Sequence, residues 1–317
     1  MTRKEIIAAN EISTLCTYTL GGYPQKVLIE GKSAENPVLL VLHGGPGSPI
    51  PFSVGCRGLF PEFTDHLTMV YWDQLGCGIN DYPIDDTFHI SHFVDMTVDL
   101  IKAVRKRFPE NPLNLLGLSW GSVLAAEAAA AAGKLIDGVV TYGQVLHDLT
   151  FNEEVYTALE RSHISAKERR YIKAVRGQKE HSPKDAMQVM KLIRKYTEGY
   201  QCKSGGKTPI FPMMMGLLKS PDYRFKDFKA TMINGYMKNH SLITELTALD
   251  LRDTLRKITV PYQILQGSTD IVTPTKHIQD FLSKEDLPLL SLQIVKNCGH
   301  MPDEQGMKQI LDACMED

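Results

Sequence analysis

Short apolar runs and helical periodicity alternate along the first half of the chain. Ser13–Leu20 and Gln25–Glu30, rich in Thr, Tyr, Val and Ile, flank Gly21-Gly22-Tyr23-Pro24 and predict an antiparallel hairpin. Val38–Leu42 is solidly apolar without alternation, the mark of a strand buried on both faces in a parallel sheet covered by helices. A helix is expected around Val54–His66, then a strand at Thr68–Trp72. Ser91–Phe108 opens on an N-cap serine, spaces Phe93, Val94, Val98, Ile101 and Val104 for one helix face, and closes on a basic turn. Strands at Leu113–Leu116 and Asp137–Tyr142 bracket an alanine-rich helix from Ser122 to Ala132.

From about Leu149 to Asp250 the strands stop. Helical stretches take their place at Asn152–Arg161, Ala166–Val175, Lys184–Tyr196, Met213–Leu218 and Asp227–Asn239. Strands resume at Pro261–Leu265 and Ser291–Val295. Strand and helix in alternation predict a mostly parallel α/β sheet with right-handed crossovers. The helical block reads as a cap inserted after the strand near residue 142. The expected organisation is therefore one core made of residues 1–148 and 251–317, with a helical cap at 149–250.

The chemistry collects where these strands end. Gly117-Leu118-Ser119-Trp120-Gly121 joins a strand to a helix, and small flanking residues let the chain reverse tightly with the serine hydroxyl lifted above the sheet. A bare Gly-x-Ser-x-Gly arises by chance in roughly one chain in ten of this size, so the context has to carry the reading. Asp270 follows one later strand and His300 follows the next. The order Ser119, Asp270, His300 is that of a serine hydrolase built on this kind of sheet. A serine hydroxyl needs a base to take its proton, here His300, and an acid to hold the imidazole, here Asp270. The N–H groups of Gly45 and Trp120 would receive the oxyanion, and the glycines at 44, 45 and 47 let the backbone approach a substrate.

Composition adds boundaries. The 317 residues carry 43% hydrophobic and 23% charged residues, ordinary for a globular protein. A formal charge of −2 gives no electrostatic argument for nucleic acid or an anionic membrane. The first residues lack the apolar core of a signal peptide, and no run approaches the ~20 apolar residues of a membrane span. Six scattered cysteines without Cys-x-x-Cys pairs point to a reduced, cytoplasmic compartment. His89 and His92 read as surface or capping residues, Cys77 and Cys298 as small packing residues, and His43 as a hydrogen-bonding residue beneath its loop.

His43-Gly44-Gly45-Pro46-Gly47, Asp73-Gln74-x-Gly76-x-Gly78, Gly117-x-Ser119-Trp120-Gly121, Gly267-x-x-Asp270-x-Val272-x-Pro274 and Gly299-His300-x-Pro302 together resemble the proline iminopeptidase family of capped α/β-hydrolases. The resemblance runs from about residue 15 to the end and is loosest in the cap. It implies an α/β-hydrolase fold and a serine aminopeptidase that releases an N-terminal proline or other apolar residue from short peptides, without metal or cofactor. Two departures stand out. Leu75 and Ile79-Asn80 replace the Arg and Ser that are common in the Asp-Gln loop, which would alter packing there before chemistry. The family also anchors the substrate ammonium with cap carboxylates, one shortly after an Asn-Gly; here Asn234-Gly235 is present, yet no acid occurs between Asp227 and Glu245, and Asn239-His240 stand in the expected place.

Candidates for substrate contact are therefore Gly44, Asn239, and the cap glutamates Glu153, Glu154 and Glu245, with Glu160 and Glu198 as further carboxylates. A carboxylesterase acting on small uncharged esters is the alternative that a missing acid favours. A non-catalytic ligand-binding protein on the same fold is the third reading.

Overall fold

The computed structural model describes residues 1–206, 210–233, 236 and 239–315. Strands β1 (Ile12–Leu20), β2 (Tyr23–Gly31), β3 (Val38–Leu42), β4 (Thr68–Trp72), β5 (Leu113–Leu118), β6 (Gly138–Tyr142), β7 (Tyr262–Gly267) and β8 (Leu290–Val295) form one sheet in the order β1-β2-β4-β3-β5-β6-β7-β8. The β1–β2 and β2–β4 pairings are antiparallel, and the remaining pairings are parallel. Helices α1 (Arg3–Ala9), α2 (Pro61–Thr64), α3 (Ile90–Arg107) and α4 (Trp120–Ala132) belong to the first half of the chain. Between β6 and β7 come α5 (Glu153–Arg161), α6 (Ala166–Arg176), α7 (Pro183–Tyr196), α8 (Ile210–Leu218), α9 (Phe225–Met232), α10 (His240–Ala248) and α11 (Arg252–Leu255). Helices α12 (Thr275–Leu282) and α13 (Glu304–Met315) complete the chain. No helix among the described residues is long and apolar enough to cross a membrane.

The unbroken apolar run of β3 is explained by its place at the centre, between β4 and β5. Val38, Leu40 and Leu42 pack with Phe93, Leu100 and Val104 of α3 and Val123 and Leu124 of α4. Leu39 and Val41 face the opposite layer, with Phe63 of α2 and Ile310 and Leu311 of α13. Each such buried leucine contributes about 2 kcal/mol relative to exposure, which is why period two vanishes from a strand with two covered faces. The helices after β6 carry a core of their own: Val155, Leu159, Ile172, Val175, Val189 and Ile193 pack together and close on Val272, beside Asp270.

Two helices depart from the sequence pattern. Val54–His66 is a 3-10 turn at Val54–Cys56 followed by the short α2, because Gly58 adopts φ +67° and Pro61 starts a new turn. The stretch Asp227–Asn239 is not one helix: α9 stops at Met232, and Asn239 is the N-cap of α10, accepting from Leu242 N at 2.7 Å. Asn234-Gly235, singled out in the sequence, lies outside the described residues.

Two guanidinium groups tie the inserted helices to the sheet. Arg57 pairs in bidentate fashion with Asp222, both contacts at 2.8 Å, and also donates to Ser13 O at 2.6 Å. Arg3, at the start of α1, donates to the carbonyls of Gly55, Arg57 and Gly216, each at 2.6 Å. An Asp222→Ala variant would leave Arg57 buried without its counter-charge, and the expected cost is about 3 kcal/mol in urea denaturation. Lys32→Ala, which removes the exposed Lys32–Asp65 pair, is expected to stay within about 0.5 kcal/mol of the parent.

Candidate active site

Ser119 sits between β5 and α4 with φ +53° and ψ −116°, a strained conformation for a residue with a side chain. Its neighbours make that turn possible. A Cβ on Gly121 would lie 1.8 Å from the carbonyl oxygen of Leu42, so α4 crosses the end of β3 with no room for a methyl group. The turn is held by Ser119 N donating to Tyr142 O at 2.9 Å and by Ser122 Oγ donating to Ser119 O at 2.6 Å. The serine itself is only partly buried.

His300 Nε2 lies 2.8 Å from Ser119 Oγ, and His300 Nδ1 lies 2.8 Å from Asp270 Oδ2. Asp270 is fully buried, and its other oxygen accepts from Val272 N at 2.8 Å and Thr273 N at 3.1 Å. Thr273 Oγ1 donates to Asp270 Oδ2 at 2.8 Å and lies 3.3 Å from His300 Nδ1. The carboxylate is thus oriented by three donors of its own loop, leaving Oδ2 to face the imidazole. The loops of Asp270 and His300 touch through bare backbone: a Cβ on Gly267 would lie 2.1 Å from Gly299 O. Tyr142 Oη donates to Gly299 O at 2.7 Å and fixes the His300 loop from below. Thr273 and Tyr142 carry no motif of their own in the sequence; the strand-end Asp270 three residues before Thr273 is the one signal that could have found the former.

The His43–Gly47 loop lies against the serine turn, where a Cβ on Gly44 would be 3.1 Å from Leu118 O and 3.4 Å from Ser119 Cβ. Gly45 adopts φ +124°. Trp120 opens α4, where a backbone N–H has no acceptor within its own helix. One amide joins these two parts. Gln74 Nε2 donates to His43 O at 3.1 Å, while Gln74 Oε1 accepts from Trp120 Nε1 at 2.8 Å. Beneath the loop, His43 Nε2 accepts from Gln74 N at 3.0 Å, and Nδ1 meets Gly44 O at 2.9 Å. That arrangement needs the neutral imidazole with its hydrogen on Nδ1.

Asp73 extends the network to the inserted helices. It accepts from Val54 N at 2.9 Å, from Ile79 N at 3.0 Å and from Tyr223 Oη, and burial pushes its carboxyl up to about 6. Asn80, where this sequence departs from the pattern it resembles, bridges Lys26 O and Asp73 O at 2.9 and 2.7 Å. The altered residue is thus a buttress in the loop's packing, away from Ser119, His300 and Asp270.

The remaining sequence candidates have other partners. Asn239 spends its NH₂ group on the carbonyls of Asp85 and Phe88 and accepts from Leu242 N with its oxygen, so both ends of its amide are engaged within the fold. Glu245 caps α3 by accepting from Ile90 N at 2.9 Å and contacts His89 Nδ1 at 2.5 Å. Glu153 and Glu160 both pair with Arg176 on the exposed surface. Glu154 is half-buried near Asp270, and burial raises its carboxyl, with Lys276 opposing. Glu198 adjoins the triad loops through its main chain: Glu198 O accepts from Thr269 Oγ1, and Gly199 O accepts from His300 N, both at 2.9 Å.

Comparison with known proteins bears on the fold. The family described as alpha/beta hydrolase fold matches residues 37–306. The probable aminopeptidase YbaC of Bacillus subtilis is 25% identical over 310 residues, covering 95% of this chain and 92% of the relative. A proline iminopeptidase of Lactobacillus helveticus is 24% identical over 298 residues, 88% of this chain and 89% of its own length. The crystal structure of proline iminopeptidase from Mycobacterium smegmatis superposes with a TM-score of 0.63 at 17% identity, over 95% of this chain and 96% of that one, a likeness of fold.

Burial pushes the His43 imidazole down to about 4, against about 6.5 when exposed. The unfolded chain takes up a proton below pH 6.5 that the folded chain refuses. Stability from this group is therefore fully present above pH 6.5 and is lost as the pH falls toward 4, by up to about 3 kcal/mol. Urea denaturation across that window should show a steeper loss for the parent than for His43→Gln; equal slopes would remove His43 as the cause.

Proposed function

The chain belongs to the α/β-hydrolase fold family, and on that premise we propose that it is a serine hydrolase acting through an acyl-enzyme, releasing an apolar N-terminal residue such as proline from short peptides. The observation that carries the reading is the continuous hydrogen-bonded line from Ser119 Oγ through His300 to the buried Asp270. His300 takes the serine proton as Oγ attacks the carbonyl carbon, and Asp270 stabilises the imidazolium that forms. The tetrahedral oxyanion is received by the N–H groups of Gly45 and Trp120, the latter at the positive end of α4. His300 then protonates the leaving amine, and a water, activated by the same imidazole, releases the acyl group. The inserted helices roof this pocket as a cap.

An N-terminal ammonium loses water on binding and needs a carboxylate to offset that loss. With Glu153 and Glu160 paired to Arg176 and Glu245 capping α3, we assign that part to Glu198, whose carboxylate among the described residues accepts only a long contact from Cys202 Sγ at 3.6 Å and whose main chain is joined to the Asp270 and His300 loops. The relatives named as aminopeptidases support a peptide substrate. A carboxylesterase is the second reading, favoured by the absence of any acid between Asp227 and Glu245 and by the capping role of Asn239.

Hydrolysis of proline-, alanine- and leucine-naphthylamides, measured beside p-nitrophenyl butyrate, separates the two. Ser119→Ala is expected to lower turnover roughly 10⁴-fold or more. Glu198→Gln should raise KM for the free amines about tenfold while leaving the ester unchanged, and Glu154→Gln should do neither. Ester turnover alone, lost in Ser119→Ala, would make the esterase reading primary. Turnover of either substrate that persists in Ser119→Ala would overturn the serine mechanism.

A further inference from the structure

Away from the serine, two histidines and an aspartate meet where the inserted helices join the sheet. One potential ligand atom from each of His147, Asp148 and His277 lies within 4.8 Å of the others. The two imidazole rings stack with centroids 4.4 Å apart and planes 19° from parallel. His147 Nδ1 contacts Asp148 Oδ2 at 2.8 Å. His277 Nδ1 is buried and has no hydrogen-bond partner, a state that costs free energy in a native fold and calls for an occupant.

The backbone is arranged to hold this group. Asp148 adopts φ +52°, in the left-handed region that aspartate tolerates better than most residues, and this carries its carboxylate back onto the preceding histidine. His147 forms an antiparallel bridge with Asp250, and Leu251 N donates to Leu146 O at 2.8 Å. The segment leaving β6 and the segment returning from the inserted helices are therefore locked together at this point. His277 arrives from a third direction, on α12, which begins five residues after Asp270. A solvent-open cavity of about 250 Å³, lined in part by His147, His277 and Asp280, leaves space for water ligands. The nearby arginines already have counter-charges, Arg252 in Asp250 and Arg256 in Asp253 and Glu285.

We propose that His147, Asp148 and His277 form a binding site for a divalent transition-metal ion of the zinc type, which clasps the root of the inserted helices to α12. Two imidazole nitrogens and one carboxylate oxygen suit Zn²⁺ and its neighbours, whereas Mg²⁺ and Ca²⁺ require shells made mainly of oxygen. Metal–ligand bonds of about 2.0–2.2 Å place donors about 3.3 Å apart around a tetrahedral ion, a distance this group reaches by side-chain rotation. Binding replaces the hydrogen between His147 and Asp148. His147 gives up its Nδ1 proton to solvent and takes one up at Nε2, so the neutral ring changes tautomer with no net proton release. The exposed Asp148 leaves the ion open to water and exchangeable, as fits a clasp that responds to metal supply.

The test is calorimetric titration of the chelator-treated full chain with Zn²⁺, with Mg²⁺ and Ca²⁺ as comparators, together with thermal unfolding. The expected result is one Zn²⁺ per chain, a Tm raised by about 4 °C at saturating metal, and no comparable response to Mg²⁺ or Ca²⁺. His277→Gln and Asp148→Asn should each weaken Zn²⁺ binding at least tenfold. Asp148→Asn keeps a residue that accepts the left-handed backbone, so its effect reads the lost ligand and not a lost turn. His89→Gln with His92→Gln removes the other stacked histidine pair and should leave the affinity unchanged. Absence of saturable Zn²⁺ binding, binding that survives both ligand substitutions, or binding lost only with His89 and His92 would each overturn the proposal. The readout is binding and Tm, so it stands or falls separately from the hydrolytic reading.

Discussion

The absence of space at Gly121 is the constraint on which the site depends. Helix α4 passes so close to the end of β3 that the Leu42 carbonyl occupies the place of a Cβ. A helix that starts this close to the sheet can follow β5 only through a sharp reversal, and Ser119 takes the strain at φ +53°. A strained residue persists only when its surroundings over-determine it. Here the Ser119 N–H and C=O are both engaged, Trp120 is buried to its indole nitrogen, and the first turn of α4 is packed on both sides. The same crowding that imposes the strain lifts the hydroxyl to the level of His300.

That constraint propagates through polar groups buried in the loops around the turn. Gln74 holds the His43 carbonyl with one end of its amide and the Trp120 indole with the other, so the His43 loop is tied to the start of α4. Its neighbour Asp73 faces the other way and receives Tyr223 from the inserted helices. A displacement of α9 is therefore felt at Asp73, one residue from the amide that spaces the His43 loop from Trp120. The inserted helices are joined to the same ground by Arg57–Asp222 and by Arg3, whose guanidinium reaches Gly216 of α8. These are ties through charge and backbone carbonyls, which require fixed geometry and break in steps, unlike an apolar contact that can slide.

Much of this was legible in the chain because the responsible interactions are local or periodic. A strand covered on both faces announces itself as an unbroken apolar run, and β3 does so. A strand-to-helix reversal announces itself through small residues, and Gly117 to Gly121 do so. The helix expected over Val54–His66 failed because its apolar spacing is real but serves loop packing: Val54 and Phe63 are buried against the sheet from separate short turns interrupted by Gly58 and Pro61. Asn239 shows the opposite failure. A buried asparagine in a helical segment reads equally as a recognition residue or as a cap, and only the positions of Asp85 and Phe88, some 150 residues earlier, decide for the cap. Thr273 was silent for the same reason, since its hydroxyl has meaning only once Asp270 and His300 are adjacent.

The division of labour between sheet and insertion follows from these ties. Ser119, His300 and Asp270 stand on β5, β8 and β7 ends, all in one sheet, and their mutual distances rest on backbone contacts such as that between Gly267 and Gly299. None of those contacts passes through α5 to α10. The segment from Glu198 to Tyr200 is different, because it belongs to the insertion and yet gives its carbonyls to Thr269, His300 and Met301. It shares hydrogen bonds with the loops of Asp270 and His300, as Thr150 N, at the start of the insertion, does with Val272 O at 2.9 Å. A side chain placed there is anchored to the loops of Asp270 and His300 through its own main chain, which is the basis for the ammonium contact proposed for Glu198. On that proposal, recognition of an ammonium requires no further carboxylate on the late helices α9 and α10.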